Sequence, residues 1–589
     1  MIVSYKSIFL STLFLLFSFI INAQTNALDK KISITLNHTT TKQALKKLEE
    51  KCGVYFTYNP SHINLEKVVN GEFSGKSLKF ILKFILGEEA VFKQLGKNII
   101  IRMPSNSSKP TSNKSVIYGT VVNANTGDKI ENVSVFQVDT KKPILSNQES
   151  YSLEVKDKEG YVELSFNKKD YKDTIVIVQT NSPTQTNIQL HPIPIDSLVK
   201  DSVNNVKVEN ITLVKSLTNT DQLTHSENIT NYSVNQFFQA SLIPFISTNG
   251  KMNAYSTNNF SINLFAGYSG GVNGLELGGF ANINRNEMEG VQLAGACNIV
   301  GGEMDGFQAA GVMNVNLDTM RGVQAAGILN SSIGTLKGTQ LSGVVNSALK
   351  DSKGLQGSGS LNLAWGDFNG IQLSGGMNFT RHDVDGFQGA AAVNYARDVD
   401  GMQLAIFNRA RNLKGLQLGL VNVSSSVKGA SIGLLSFVKN GYQSIDLATS
   451  DVYSANLSFK TGTTRFYNII NFGAVSTSEK NIFAAGYGLG TQIPFGKKKW
   501  SFDWDNTFNF FLRLIETPTG NQVNFLFNSD LFLSRVLSEH FTFRTGVTFN
   551  SYLRYNDVQI SFIPSERVES EEGITEEWLG YKVAMAYRF

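Results

Sequence analysis

Apolar and polar side chains alternate in short runs that recur along the middle of the chain. Each run is opened by a glycine sixteen residues after the last: Gly274, Gly290, Gly306, Gly322, Gly338, Gly354, Gly370 and Gly386. From Gly290 onward a Gln follows two places on and an Asn eight places on. A fixed period of this kind means one structural unit copied many times. Within a copy, Val291, Leu293, Cys297 and Ile299 alternate with Gln292, Ala294, Ala296 and Asn298, the period-two signature of a strand with one apolar face.

Two closed arrangements can use such a repeat: an antiparallel barrel with one strand per copy, or a solenoid with one coil per copy. If the nine-residue alternating run is straight, it spans about 30 Å, and the residues left over reach only about 20–24 Å. That is too short to close a coil but enough to turn into an antiparallel neighbour, and about 9–11 residues is the strand length a bilayer needs. One face (Ile371, Leu373, Met377, Phe379) suits lipid and the other (Gln372, Ser374, Gly376, Asn378) suits a lumen.

Three features favour the coil. Gly295, Gly311, Gly327, Gly343, Gly359 and Gly375 fall in the middle of the supposed lipid face; the period shortens at Gly401, Gly415 and Gly429; and the alternation changes phase at Val421, beside a recurring Asn. Such a phase change marks a coil corner, with Asn and Gln stacked as ladders. The barrel is the expectation and the solenoid its alternative. In either case Gln292, Asn298, Gln308, Asn314, Gln324, Asn330, Gln340, Asn346, Gln372 and Asn378 form a polar face of ladders or lumen lining rather than a ligand site. No charge recurs in these columns, so no strongly ion-selective constriction is expected from them.

From residue 441 to 589 the repeat stops and alternation strengthens. Phe502, Trp504, Phe508 and Phe510 interleave with Asp503, Asp505, Thr507 and Asn509, and Phe541, Phe543, Val547 and Phe549 with Thr542, Arg544, Thr548 and Asn550. Long two-faced aromatic strands are what a lipid-facing barrel wall requires. About eight strands here and about twelve upstream predict a single barrel of roughly twenty, with residues 564–577 as an outer loop. Tyr581, Val583, Met585, Tyr587 and Phe589 alternate to the last residue, and Tyr587 and Phe589 resemble the terminal aromatic assembly signal of outer-membrane barrels.

Upstream, Lys6 and the apolar run 8–21 closing at Ala23 predict a secretory signal peptide over 1–23. Residues 31–102 predict a small α/β domain, with helices whose apolar faces hold Ala44, Leu45, Leu48 and Cys52, and Leu78, Ile81, Leu82 and Ile85. A linker follows at 103–115, then a small β-sandwich at 116–192, and a second polar linker at 193–255 with one apolar island, 237–245. The repeat region occupies 256–440. The fold class is thus mainly all-β: a C-terminal antiparallel transmembrane barrel including the repeats, preceded by the α/β domain and the sandwich.

Composition narrows the chemistry. A net charge of +4 with no basic cluster among aromatics argues against a nucleic-acid partner. Two cysteines, Cys52 and Cys297, in segments of different character predict neither a disulfide nor a metal site. His38, His62, His191, His225, His382 and His540 are scattered and read as surface or core histidines. Gly486-Tyr-Gly-Leu-Gly490 lies in a strand pattern with no helix behind it, which is not a phosphate loop. No cofactor, metal or catalytic residue is expected.

The segments Ile32–Leu36, Ala44-Leu45, Cys52–Asn59 and Leu78–Leu86 resemble the secretin and TonB short N-terminal domain, which implies a periplasmic protein–protein contact module. Residues 117–122, Thr126-Gly127, 132–135 and Asp157–Tyr161 are similar to the carboxypeptidase regulatory-like domain, although no His-x-x-Glu or His-Glu-x-x-His is present to suggest peptidase chemistry. The repeats, with Phe265–Gly279 leading them, resemble a bacterial surface-repeat family of the form Gly-x-Gln-x-x-Gly-x-x-Asn, which implies an envelope location and no reaction. Together these resemble an outer-membrane protein of the Bacteroidota type. The segment 193–255 is too short for the plug of active importers.

The expected function is a non-enzymatic outer-membrane barrel with a periplasmic arm, passing or retaining uncharged polar solutes. Its expected partners are outer-membrane lipid, the barrel assembly machinery and an unknown periplasmic protein held by residues 31–192. The alternative is a surface adhesin with the repeats as a solenoid on a small C-terminal barrel.

Overall fold

The computed structural model describes residues 27–589 apart from 96, 104–112, 141, 148–149, 158–159, 181–182, 194–206, 230–232, 477–480, 498, 513–523, 555–565 and 571–572. The signal peptide expected at 1–23 and most of the linker at 103–115 lie outside the described residues. The chain divides into two compact units, 1–273 and 274–589.

In the first unit, Lys31–Thr40 pairs antiparallel with Val68–Ser77. Helix Thr41–Cys52 starts in a capping box, where Thr40 accepts from the Gln43 backbone and the Gln43 side chain accepts from Thr40 N–H. Helix Leu78–Leu86 is capped by Ser77. Their apolar faces, Ala44, Leu45 and Leu48 with Leu78, Ile81, Leu82 and Ile85, close one core with Leu36 and Ile99. A second core, holding Ile117, Val135, Leu153, Leu164 and Phe166, lies between strands that include Asn113–Gly119, Tyr151–Asp157, Ser134–Gln137 and Tyr161–Asn167. Arg102 from the first core donates through Nε to Glu163 of the second at 2.7 Å.

The segment read from sequence as a linker at 193–255 is largely folded where described. Helix Thr220–Asn228 is followed by strand Val234–Ile243, which pairs parallel with Ser256–Asn263. Polar composition concealed this, because the anchoring contacts are themselves polar. His225 Nδ1 is 2.8 Å from Ser134 Oγ, and Asn228 Nδ2 donates to the Asn132 carbonyl at 2.6 Å.

Burial, with the nearby charge of Lys251 adding to it, pushes the His225 pKa down to about 4 from 6.5. Below pH 6.5 the unfolded chain therefore binds a proton that the folded chain refuses, so stability falls as pH drops through that window and the loss is complete below pH 4. Between pH 7 and pH 5 the expected loss is ~2 kcal/mol. Urea titrations of wild type and His225→Gln at the two pH values should show this extra slope in the wild type alone.

The second unit opens with the repeats, and these wind as coils. Each copy carries a seven-residue strand and a shorter one of three or four residues, as in Met288–Ala294 and Cys297–Val300. Both pair parallel with the same strands of the next copy, Gly290 beside Gly306, Gln292 beside Gln308 and Asn298 beside Asn314. The antiparallel wall of repeats and the barrel of roughly twenty strands are thereby overturned. The premise that failed was a straight nine-residue run: the chain bends between Ala294 and Cys297, so the leftover residues suffice to close a turn.

The glycines that looked misplaced on a lipid face are the bend. A methyl group built on Gly295 would overlap the Gly279 carbonyl oxygen of the coil before it. The shortened copies keep their register, Gly386 beside Gly401, Gln388 beside Gln403 and Asn394 beside Asn408, by losing residues at the bends.

A closed eight-stranded antiparallel barrel follows: Tyr442–Ser450, Ala455–Thr463, Phe466–Ser476, Asn481–Phe495, Trp500–Leu512, Phe525–Val536, Phe541–Arg554 and Gly573–Arg588. The last strand closes on the first from Ser444↔Arg588 to Ser450↔Lys582. Leu447, Phe472, Phe502, Trp504, Phe508, Leu531 and Val547 point outward and are exposed. The inward set is buried and mostly polar, with an apolar cluster that includes Phe511, Leu526, Tyr552 and Trp578. Tyr587 and Phe589 also lie on the outer surface, their rings edge to face at a centroid distance of 5.4 Å, with Tyr587 against His540 and Phe541.

Candidate functional site

The buried polar chemistry of the second unit forms three connected systems. The first is the pair of ladders inside the coils. Gln308 Nε2 donates to Gln292 Oε1 at 2.7 Å, Gln324 to Gln308 at 2.8 Å, Gln340 to Gln324 at 3.0 Å, and the series runs on to Gln417. Asn298 Nδ2 donates to Asn314 Oδ1 at 2.9 Å, Asn314 to Asn330 at 2.9 Å and Asn330 to Asn346 at 3.0 Å. Gln372 and Asn378 continue the same columns, donating to Gln356 at 2.8 Å and Asn394 at 3.0 Å. All ten sequence-nominated amides are therefore brought together in two columns. They are fully buried, so they line no lumen.

The ladders run in opposite senses. Each Gln donates toward the preceding coil and each Asn toward the following one, so their dipoles oppose. Each Asn also spends its second N–H on a strand carbonyl of the following coil, as Asn298 does on Ala309 at 2.8 Å. Both N–H groups of each ladder Asn are thereby used at a fully buried position. The donor end of the Gln ladder meets a carboxylate, with Gln292 Nε2 2.8 Å from Glu276 Oε2. Its acceptor end receives the Ser424 hydroxyl at 3.0 Å, and Asn422 ends the other ladder on Ser436 Oγ at 3.3 Å.

The second system fills the barrel. Arg544 is fully buried, with Nη1 3.0 Å from Asp446 Oδ2 and Nε 3.5 Å from Asp503 Oδ2. Lys460 Nζ bridges Asp446 at 2.7 Å and Asp505 at 2.5 Å, and the Tyr467 hydroxyl donates to Asp505 at 2.5 Å. Lys582 pairs with Asp530 at 2.8 Å. An asparagine relay, Asn456 to Asn471 to Asn509 to Asn528 to Asn550, draws one member from each of five strands with bonds of 2.6–2.8 Å. The alternation in sequence placed Asp503, Asp505 and Arg544 on the inward face. Which charges meet depends on strand register, and no local pattern carries that.

The third system joins coil to barrel. Gly433 N–H donates to Asn468 Oδ1 at 3.0 Å and Ser436 N–H to Thr461 Oγ1 at 3.1 Å. Asn468 Nδ2 donates to the Ser431 carbonyl and Tyr487 O–H to the Gly433 carbonyl, both at 3.1 Å. These side chains supply the partners that a further coil would have offered. They sit at the barrel end where the first strand begins and the last one finishes. The connections at this end are 464–465, 496–499 and 537–540, whereas the opposite end carries 451–454 and 477–480 together with the two longest, 513–524 and 555–572, the latter including strand Glu566–Ser570.

Cys52 and Cys297 are both buried free thiols. Among the described residues no group of three His, Cys, Asp or Glu side chains is placed to hold a metal ion. No protein-family model, curated protein or solved structure matches this chain.

Proposed function

We propose that this chain is a non-enzymatic scaffold of the bacterial outer membrane, with its eight-stranded barrel in the lipid and its coil stack on the periplasmic side. The observation that carries the reading is the end of the barrel to which the stack is attached. Outer-membrane barrels keep short turns toward the periplasm and long loops outside, and the coils join at the end with the short connections. The outward band of Phe502, Trp504, Phe508 and Leu531 supplies the lipid-facing surface. The N-terminal segments 31–102 and 116–192 then serve as a periplasmic arm that holds a protein partner, in keeping with the resemblance of 31–102 to a contact module.

A surface adhesin would use the same parts with the coils outside the cell. Single cysteines placed in intact cells separate the two readings. A maleimide too large to cross the outer membrane should label residue 454 or 476, exposed at the end opposite the coils, and leave residue 353 unlabelled until the membrane is permeabilised. Labelling of residue 353 on intact cells means the adhesin.

The barrel is proposed as an anchor rather than a conduit, because the ion pairs about Arg544 and the asparagine relay occupy its interior. In planar bilayers the full chain should show no steady conductance. A stable open channel at neutral pH would reject the anchor reading.

A further inference from the structure

The coil stack buries its amide ladders beside an apolar core that includes Met288, Met304, Met320, Leu336 and Phe368, and the outer face of its seven-residue strands carries further apolar side chains. On the seven-residue strands the positions one and three places after each repeat glycine point outward, and no charged residue occupies either column from Val291 to Leu418. Leu293, Phe307, Leu341, Ile371, Leu373 and Leu404 on this face are 37–46% exposed. Leu341, Leu373 and Leu404 stand as ridges, with hollows between them at Gly357 and Gly389.

We infer that this face is covered by the same face of a second copy of the chain, joining two coil stacks into a dimer. The extent of the face is the first reason. Nine coils at ~4.8 Å per strand and seven residues at ~3.3 Å give a footprint of about 1,000 Å², above the roughly 800 Å² per partner of a standard stable interface. Its two apolar columns, out of three that face outward, account for about 670 Å² of that, just above the apolar patches of about 300–600 Å² that monomers ordinarily expose.

The border of the face is the second reason. The column one place before each glycine holds Lys337, Lys353, Asp385, Asp400 and Lys414, and Lys414 pairs with Asp400 at 2.5 Å in an exposed position. An apolar centre beside a charged rim is the anatomy of a protein interface. Lipid would instead have to accept the charged column two residues from the ridge. The third reason is encounter: copies anchored in one membrane share an orientation and a high effective concentration. Dimerisation rests on the coil stack itself and holds on either side of the membrane.

The test is the mass of the full chain in detergent and in lipid nanodiscs, measured by light scattering and native mass spectrometry. The wild type is expected as a dimer. Leu341→Glu with Leu373→Glu changes only outward side chains and should give a monomer at the same concentration, with at least a hundred-fold weaker self-association. Ser347→Glu, outward on the four-residue strands, should stay dimeric. Circular dichroism and the retained heat-modifiable mobility of the barrel check that each variant is folded. Leu373→Gln provides a milder change should the double variant fail to fold, and it should weaken the dimer at least ten-fold.

A wild-type monomer overturns the inference, as does a dimer indifferent to both the Glu pair and the Gln variant. So does quenching by brominated phospholipid chains of a fluorophore on Leu373→Cys, with Cys52 and Cys297 replaced by alanine, because lipid would then occupy the face. None of these outcomes depends on the cysteine-labelling result that decides which side of the membrane the coils occupy.

Discussion

Gly354→Ala is expected to destabilise the coil stack by about 4 kcal/mol, although it adds a single methyl group. Gly354 has φ +134°, a conformation essentially confined to glycine, and forcing another residue into it costs on the order of 1–3 kcal/mol. The new Cβ would also overlap the Gly338 carbonyl oxygen of the preceding coil. That neighbour is backbone held in a parallel ladder, Gly338 beside Gly354 and Gln340 beside Gln356. It can retreat only by opening the sheet and stretching the Gln356 to Gln340 bond of 2.9 Å. Gly357→Ala is the control: its Cβ would meet only side chains, Leu341 at 3.0 Å and Leu355 at 4.0 Å, and the cost should stay within about 1 kcal/mol. Hydrogen exchange across 290–430 during urea titration would reveal the difference, and equal protection in the two variants would show that the sheet tolerates the extra atom.

Arg544→Met should be worse tolerated still at the level of the barrel, costing roughly 3–5 kcal/mol. Removing the guanidinium leaves Asp446 and Asp505 buried with Lys460, at 2.7 and 2.5 Å, and Asp503 buried with hydrogen bonds from Gln492 and Ser534. The penalty is that of stranded carboxylates rather than of a lost bond, so neutralising them should return part of it. Arg544→Met combined with Asp503→Asn and Asp446→Asn is expected to fold better than Arg544→Met alone. Yield in the outer-membrane fraction and the heat-modifiable mobility of the barrel give the comparison. A triple variant no better than the single one would mean that Arg544 acts through packing.

The sequence carried the existence and period of the repeat, the helical faces around Leu45 and Ile81, and the two-faced strands after Tyr442, because each depends on near neighbours along the chain. It misled at the bend. Nine residues of alternation from Val291 to Ile299 look the same whether or not the chain turns at Gly295. The recurring glycines were the visible sign, and their reason, close approach to the carbonyl one coil earlier, exists only after stacking. The network around Arg544 was half legible: alternation sets which way a side chain points, but strand pairing sets what it meets. The anchoring of 207–229 by His225 and Asn228 was hidden altogether, since a polar residue that will be buried against a polar partner has the same local signature as one left in water.

The termination of the coils by Thr461, Asn468 and Tyr487, with Glu276 at the other end of the glutamine column, has a consequence for how such a chain can change. Neither terminus of the stack senses how many turns lie between. Duplication or deletion of one copy would alter the height of the column by ~4.8 Å while leaving both ends satisfied, so the number of copies is free to drift as an adjustable measure of length.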